Sequence, residues 1–498
     1  MPDTQQPVFE FLASQGHDVK RIDTHAASVF LSGDRALKVK RAVRFTFLDF
    51  STLEKRKAAC DNEIEVNKPY APTVYRGVVA ITREMDGTLA INGKGTPVEY
   101  AVDMARFDET QTLDHVAARG RIDDALADRL GRAVAKAHAI APVRRGVHFA
   151  ATLDEIIAQN DGELAGFPDL FDADAVKLLT AASRAALYRL RPLLDARERD
   201  GCVRRCHGDL HLGNLVLIDN EPMLFDAIEF NDRLAIIDRF YDLAFLLMDQ
   251  IERGLAPQAT TVLNRYLVET NDDRDFDALA LLPLLMSLRA AIRAKVTAAR
   301  PNRDASLDAR ARDYFALAQR LIAPPSPQFI AVGGLSGTGK SVLARALSTH
   351  ITPLPGAVWL RSDVIRKQLF GKTETEALPP EAYRPDVTAR VYETLAARAA
   401  RVFAAGHSVI VDAVFARAGE RADIEQAALQ AFRGLFLTAD LDTRLARVGG
   451  RKNDASDADA KIARAQEDYD LGELAWATVD ASGTPEQTLR NARAVLKP

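Results

Sequence analysis

Eight residues constrain this chain more than any others: Gly334-Leu-Ser-Gly-Thr-Gly339-Lys340-Ser341. They fit G-x-x-x-x-G-K-[ST] in full. At that spacing the glycines let successive backbone N–H groups turn inward around an anion, and the following helix adds the positive end of its dipole. The lysine reaches phosphate oxygens and the terminal hydroxyl suits Mg2+. A β-type run, Phe329–Val332, precedes the pattern, and a helical run, Ser341–His350, follows it. This strand–loop–helix context predicts an open α/β sheet. Gly334, Ser336, Gly337, Thr338, Gly339, Lys340 and Ser341 are the candidate nucleotide-binding residues, with Ser341 also a candidate metal ligand. No dinucleotide fingerprint is present, because the G-x-G-x-x-G spacing does not close.

The remainder of the C-terminal third repeats the alternation. Ala357–Leu360, Ser408–Val411 and Gly434–Leu437 read as strands, and Val387–Ala405 and Ala418–Ala431 as helices. The expected fold there is a parallel sheet covered by helices on both faces. Ahead of it stands Ala323-Pro324-Pro325-Ser326-Pro327, where three prolines cannot continue a helix and stiffen the connection. The expected division is residues 1–322, a Pro-rich linker 323–327, and residues 328–498.

Two acids sit where strands of this sheet end: Asp363 after Trp359–Ser362, and Asp412 after Val409–Val411. Ligands gather at the carboxyl ends of strands in open α/β sheets. An aspartate there accepts a hydroxyl proton or holds Mg2+, or simply caps a helix. Arg447 and Arg451, flanking Gly449-Gly450, can close over phosphate as a hinged lid, and the bland alternative is a solvated helix end. The set Gly334–Ser341, Ser362-Asp363-x-x-Arg366-Lys367, Val411-Asp412 and Arg447-x-x-x-Arg451 resembles the small P-loop kinases of the polynucleotide 5′-kinase, zeta-toxin and gluconate-kinase type, over nearly all of 328–498. The resemblance implies Asp363 as base for the acceptor hydroxyl and Arg366 as a ligand of acceptor or phosphate.

In the N-terminal part, residues 19–107 read as strand-rich with one helix near Ser51–Asn67. Residues 110–322 read as mainly helical, with a short β region near 215–226. The informative stretch is His207-Gly-Asp209-Leu-His211-Leu-Gly-Asn214, followed by Leu224-Phe-Asp226. A carboxylate beside a hydroxyl can take its proton, and an amide five residues later can ligate a metal together with a second carboxylate. Lys38 lies in the β run Ala36–Val39 and Glu63 on the following helix; a Lys–Glu pair of this kind holds the α- and β-phosphates. Lys40 and Glu65 are the alternatives to Lys38 and Glu63.

These residues resemble the aminoglycoside-phosphotransferase and choline-kinase type, a branch of the protein-kinase-like fold, over roughly 20–300. The resemblance implies Asp209 as catalytic base, and Asn214 with Asp226 as Mg2+ ligands. Two departures stand out: His25-Ala-Ala-Ser28 occupies the place of a glycine-rich loop, and Arg41–Phe50 separates the lysine strand from the helix. The expected architecture is an α+β bilobal kinase-like domain followed by an α/β P-loop domain.

The formal net charge of −4 argues against a partner held by bulk charge on a nucleic-acid backbone. Cys60, Cys202 and Cys206 form no disulfide framework. Cys202, Cys206 and His207 are close enough in sequence to suggest a metal, but Cys206 and His207 border the better motif. Residues 1–20 lack a basic start followed by an apolar stretch, and no apolar run reaches membrane-spanning length, so a cytoplasmic protein is expected. Arg289, Arg293 and Lys295 can bind an anion or form a solvated stripe. The function expected is ATP- and Mg2+-dependent transfer of phosphoryl groups to small-molecule hydroxyls by two modules. A nucleotide-sensing regulator and a nucleic-acid 5′-hydroxyl kinase remain alternatives.

Overall fold

The computed structural model describes residues 5–16, 18–45, 48–428, 431–450 and 455–496. The chain divides into two compact units, Met1–Thr152 with Leu194–Asp249, and Leu153–Leu193 with Gln250–Pro498.

In the first unit, six strands among the described residues form an antiparallel sheet. Their order is Lys20–Asp23, Ala27–Ser32, Arg35–Lys40, Thr96–Ala105, Tyr75–Arg83, Leu89–Ile91. Strand periodicity decides what each face carries. Leu37 and Val39 pack with Phe30, Val79, Ile81 and Ala101 against Val8, Phe9 and Leu12 of the helix Gln6–Ala13. Alternation then sends Lys38 and Lys40 to the opposite face, toward the helix Leu53–Asn67. That helix starts at Thr52, whose hydroxyl accepts the Lys55 N–H, and it buries Cys60 beside Val74, Tyr75 and Val102.

Further along, Val203–Arg205 pairs antiparallel with Ile236–Asp238. The β region expected near 215–226 is the hairpin Leu215–Ile218 with Glu221–Leu224. It turns through Asp219 and Asn220, both at positive φ (51° and 65°), as a two-residue type I′ turn requires. The loop that carries Asp209 lies between these two strand pairs.

In the second unit, a five-stranded parallel sheet has the order Val358–Arg361, Val409–Asp412, Phe329–Gly334, Phe432–Thr438, Ala477–Asp480. Its core joins Ile330, Val332, Ile410, Leu435 and Leu437 to Leu343 and Leu347 of the helix Lys340–Ser348. The helices Pro385–Ala404 and Ala418–Ala427 complete the alternation expected from the sequence. The strand Ala477–Asp480 was not legible: its apolar–polar alternation spans only four residues, of which only Val479 is buried, too short a run to stand out.

The helices of 250–322 belong to the same compact unit as this sheet. Asn264, on the helix Ala256–Thr270, closes the free edge of Val358–Arg361. Its Nδ2 donates to the Ala357 carbonyl at 3.1 Å and its Oδ1 accepts the Trp359 N–H at 2.6 Å. Ala323–Ser326 is exposed coil within this unit. No helix of the described residues is long and apolar enough to cross a membrane.

Candidate active sites

Lys38 stands at the centre of the first site. Its Nζ lies 2.8 Å from Glu63 Oε1 and 2.6 Å from Asp226 Oδ1. Lys40, two residues on and on the same face, lies 2.5 Å from Glu63 Oε2 and also pairs with Glu229. The structure thus brings Lys38, Glu63 and Asp226 together; Glu65 is exposed. Burial disfavours the Lys38 ammonium, but the Asp226 and Glu63 carboxylates outweigh it and hold its pKa well above the ordinary lysine value. Burial likewise opposes the Asp226 charge, and Lys38 outweighs it, so that carboxyl titrates below the usual range. Asp226 sits at φ 60°, an uncommon backbone for a non-glycine residue that aims its side chain back toward Lys38. Its N–H donates to the Tyr75 hydroxyl at 3.0 Å.

Asp209 and Asn214 meet through a 3₁₀ turn, Leu212–Asn214. Asn214 Nδ2 donates to the Asp209 carbonyl at 2.9 Å and to Asp209 Oδ2 at 3.0 Å, which leaves the Asn214 amide oxygen as an acceptor. The Asp209 side chain keeps 42% of its surface exposed, enough for a soluble acceptor to reach it. Two buried acids that sequence reasoning missed hold this loop from beneath. Asp242 accepts the His207 N–H at 3.0 Å through Oδ2 and the Gly208 N–H at 2.9 Å through Oδ1, and Asp249 accepts the Leu212 N–H at 3.0 Å. Both stand on the helix Arg239–Glu252, seven residues apart and so on one face. A pair of acids at that spacing, bracketing the apolar run Leu243–Met248, was the available signal. Gly208 is obligatory, with φ 85° and the Leu234 carbonyl 3.0 Å from where a Cβ would sit.

The structure does not gather Cys202, Cys206 and His207 as one ligand set among the described residues; Cys206 lies instead with His138 and Asp242. Burial, with Asp242 and Asp238, pushes the Cys206 thiol well above its ordinary pKa. The His207 ring is used on both nitrogens, Nε2 with the Phe225 carbonyl at 2.9 Å and Nδ1 with the Asp209 N–H at 3.3 Å. At the place of the missing glycine loop is a tight hairpin, closed by Thr24 N–H to the Ala27 carbonyl; Ser28 is buried with its hydroxyl on Asp23.

In the second site the loop Gly334–Ser341 leaves the central strand and enters the helix Lys340–Ser348. Gly334, Gly337 and Gly339 all have positive φ (138°, 87° and 92°). At Gly337 space is decisive as well, since a Cβ would meet the Arg444 carbonyl at 2.5 Å. Lys340 Nζ donates to the Leu335 carbonyl at 3.1 Å, and Thr338 Oγ1 to the same oxygen at 2.8 Å. The Ser336 N–H is taken by Gln466 Oε1 at 2.6 Å and the Ser336 carbonyl by Arg444 Nε at 2.9 Å. Gln466 and buried Arg444 therefore clamp one residue of the loop from both sides, a role that the sequence did not signal.

Asp412 ends its strand beside Val332 on one neighbour and Arg361 on the other. Its carboxyl is raised by burial, against the pull of Lys340 and Arg361, and it hydrogen-bonds the Ser341 hydroxyl. Asp363 is half-buried in the first turn of the helix Ser362–Leu369, two residues past Arg361. Arg366 is buried, its guanidinium donating to the Ala382 carbonyl at 2.6 Å and Thr388 Oγ1 at 3.2 Å over the Tyr383 ring. Lys367 pairs with Asp457 at 2.8 Å. Arg447 donates to the Ala481 and Gly483 carbonyls at 2.8 and 2.9 Å and lies 3.4 Å from the Thr338 carbonyl, against the loop. Arg451 falls outside the described residues. Of the basic stripe, Lys295 pairs with Glu163 and Arg293 stacks on Tyr314.

Comparison with known proteins finds two family matches. Residues 91–282 match the phosphotransferase enzyme family, and residues 329–469 match an AAA domain family. The first range holds Asp209, Asn214 and Asp226 but not Lys38 or Glu63; the second holds the glycine loop, Asp363, Arg366, Asp412 and Arg447. An uncharacterized protein of Mycobacterium tuberculosis (strain ATCC 25618 / H37Rv) is 28% identical over 488 residues, covering 94% of each chain. An uncharacterized protein of Mycobacterium bovis matches to the same extent. Among solved structures, a choline/ethanolamine kinase family protein from Mesorhizobium loti is 17% identical and covers 65% of this chain and 96% of its own, with a TM-score of 0.40. The GDP complex of aminoglycoside 2′-phosphotransferase-IIIa is 15% identical over 64% and 97%, TM-score 0.40. A gluconokinase from Sinorhizobium meliloti is 23% identical over 34% and 91%, TM-score 0.25. With a kinase-like α+β region ahead of a parallel-sheet domain that matches a P-loop family, the chain is a kinase-type enzyme.

Proposed function

We propose that this kinase-type enzyme, with its two family-matched regions, is an ATP- and Mg2+-dependent phosphotransferase made of two modules, residues 1–322 and 328–498, joined by 323–327. Each module moves a γ-phosphoryl group to a hydroxyl of a small molecule, a sugar, amino sugar or nucleoside, in the cytoplasm. The observation that carries the reading is the convergence of Lys38 on Glu63 and Asp226, with a half-exposed Asp209 held by Asn214 in the same unit.

In the first module Asp209 takes the proton of the acceptor hydroxyl as the new P–O bond forms and the bond to the departing ADP oxygen breaks. Asn214 holds the Asp209 carboxylate in place through its amide N–H. The Asp226 carboxylate and the Asn214 amide oxygen are hard oxygen donors of the kind that suits Mg2+. Bound there, Mg2+ neutralises charge on the phosphates. Lys38 supplies a phosphate-binding cation, oriented by Glu63.

In the second module the backbone N–H groups of the glycine loop and Lys340 hold the phosphates, and Ser341 with Asp412 forms the metal-binding pair. The Ser341–Asp412 hydrogen bond supports that pairing. Asp363 is the base. Arg366 orders the acceptor side, and Arg447 with Arg451 supplies positive charge over the transferring group.

The test is an ATP-consumption screen of the full-length chain against a metabolite library, repeated on Lys340→Ala and on Asp226→Ala. Each variant is expected to lose a different set of acceptors. Consumption unchanged in both variants sinks the two-module reading.

A further inference from the structure

We propose that Lys40 is a positioning residue of the first site: paired with Glu229, it holds Glu63 and the Asp226 segment in place while Lys38 is drawn to phosphate. The inference rests on the reading of that site as a nucleotide site.

The geometry divides the work between two lysines. Glu63 accepts a hydrogen bond from Lys38 through Oε1 and forms an ion pair with Lys40 through Oε2. Lys40 continues to Glu229, and Lys38 to Asp226. The result is an alternating chain of charges, Asp226–Lys38–Glu63–Lys40–Glu229. Its two ends lie three residues apart on one segment, and its two lysines lie two residues apart on one strand face. The side chain of Lys38 is 15% exposed, whereas those of Lys40 and Glu63 are 2% and 0% exposed. Of the two lysines, only Lys38 can meet a ligand arriving from solvent.

A ligand phosphate competes for Lys38 with both of its carboxylates. Were Lys38 its only cation, the wholly buried Glu63 could not lose it without a large penalty. Lys40 removes that obstacle, because it keeps one Glu63 oxygen paired whatever Lys38 does. Three carboxylates against two ammonium groups also leave one negative charge in excess, which favours a cation beside Asp226.

A second set of contacts fixes the frame. Asn62 Nδ2 donates to the Glu229 carbonyl, and Asn67 accepts the Ala227 N–H at 2.7 Å and donates to the Ala227 carbonyl at 3.3 Å. Asn62 and Asn67 thus join the helix Leu53–Asn67 to 226–229 directly and independently of Lys38. Lys38 is the mobile partner and Lys40 the stationary one.

The experiment uses the full-length chain carrying Lys340→Ala, so that only the first site binds nucleotide. The affinity for a non-hydrolysable Mg·ATP analogue is read by calorimetry, and the melting temperature by scanning calorimetry. Lys40→Met is expected to weaken affinity about tenfold or more, because Glu63, left with a single cation in a buried setting, then retains Lys38. It also lowers the melting temperature. Adding Glu229→Gln to Lys40→Met removes the unpaired buried carboxylate and is expected to restore the melting temperature without restoring affinity. That split separates positioning from mere stability, and it decides the matter even where Lys40→Met alone fails to fold. Parental affinity in the double variant overturns the inference. No binding in the Lys340→Ala parent overturns the nucleotide-site reading and this inference with it.

Discussion

At the scale of single residues, the two proposed bases differ from the groups around them in what they can reach. Asp209 is half-exposed, its Oδ2 3.0 Å from Asn214 Nδ2 and 3.5 Å from His211 Nε2, so removing its charge changes proton acceptance more than packing. In the full-length Lys340→Ala chain, Asp209→Asn is expected to lower transfer to the first-site acceptor by ~10²–10⁴-fold with little change in nucleotide affinity. Asp363→Asn in the Asp226→Ala chain should likewise stop transfer at the second site while leaving binding intact, whereas Asp412→Asn should weaken the Mg2+ dependence of binding. Paired calorimetry and turnover check both. Normal turnover by Asp363→Asn beside a dead Asp412→Asn reverses the two roles.

His407 offers a residue-scale prediction of another kind. Burial lowers its pKa to about 4, despite a bond from Nε2 to the Gly356 carbonyl at 2.8 Å. The folded chain therefore resists protonation that the unfolded chain accepts from about pH 6.5 downward. The unfolded state binds the extra proton, so stability falls as the pH drops from about 6.5 to about 4, by about 3 kcal/mol at most. Denaturant unfolding at pH 7.5 and pH 4.5 is expected to show that part of the pH dependence disappearing in His407→Asn. An unchanged difference between the two pH values refutes the assignment.

At the scale of elements, two helices act as fixed plates against strands. The helix Leu53–Asn67 is tied to 226–229 directly by Asn62 and Asn67, and through Lys40 by Glu63. The helix Ala256–Thr270 seals the open edge of Val358–Arg361, where exposed backbone groups otherwise invite pairing with another chain. Asn264 does so with both ends of one amide. Asn264→Ala leaves the Ala357 carbonyl and the Trp359 N–H without that partner and is expected to destabilise the second unit by about 1–3 kcal/mol. The denaturant midpoint of its unfolding reports this, and a midpoint equal to that of the parent rejects the edge-sealing role.

At the scale of the whole molecule, the two candidate sites lie in different compact units, which has a stoichiometric consequence. Calorimetry on the intact chain is expected to find two Mg·ATP-analogue sites. Lys340→Ala should abolish one of them, and Asp226→Ala should impair the other. A single site lost entirely in Lys340→Ala rejects nucleotide binding by the first unit. The proposed connection at 323–327 falls within the second compact unit. That segment is exposed coil, but the helices before it share a compact unit with the sheet after it.

Much of this protein is legible in its sequence because its chemistry is written in short spacings. Gly334–Ser341 and His207–Asn214 each place several functional groups within one loop, and local backbone geometry suffices to bring them together. The alternation of strands and helices after 328 is equally local, a matter of period and punctuation. What only the tertiary structure decided are relations across long stretches of chain. Lys38 and Asp226 are 188 residues apart, and the choice between Lys38 and Lys40 turns on which ammonium keeps access to solvent. Strand alternation puts both on one face and cannot separate them. The buried acids Asp242 and Asp249, the Gln466–Arg444 clamp on Ser336 and the Asn264 seal depend in the same way on surfaces that meet only after folding. A buried polar group must find a partner, but the sequence does not say where in the chain that partner lies.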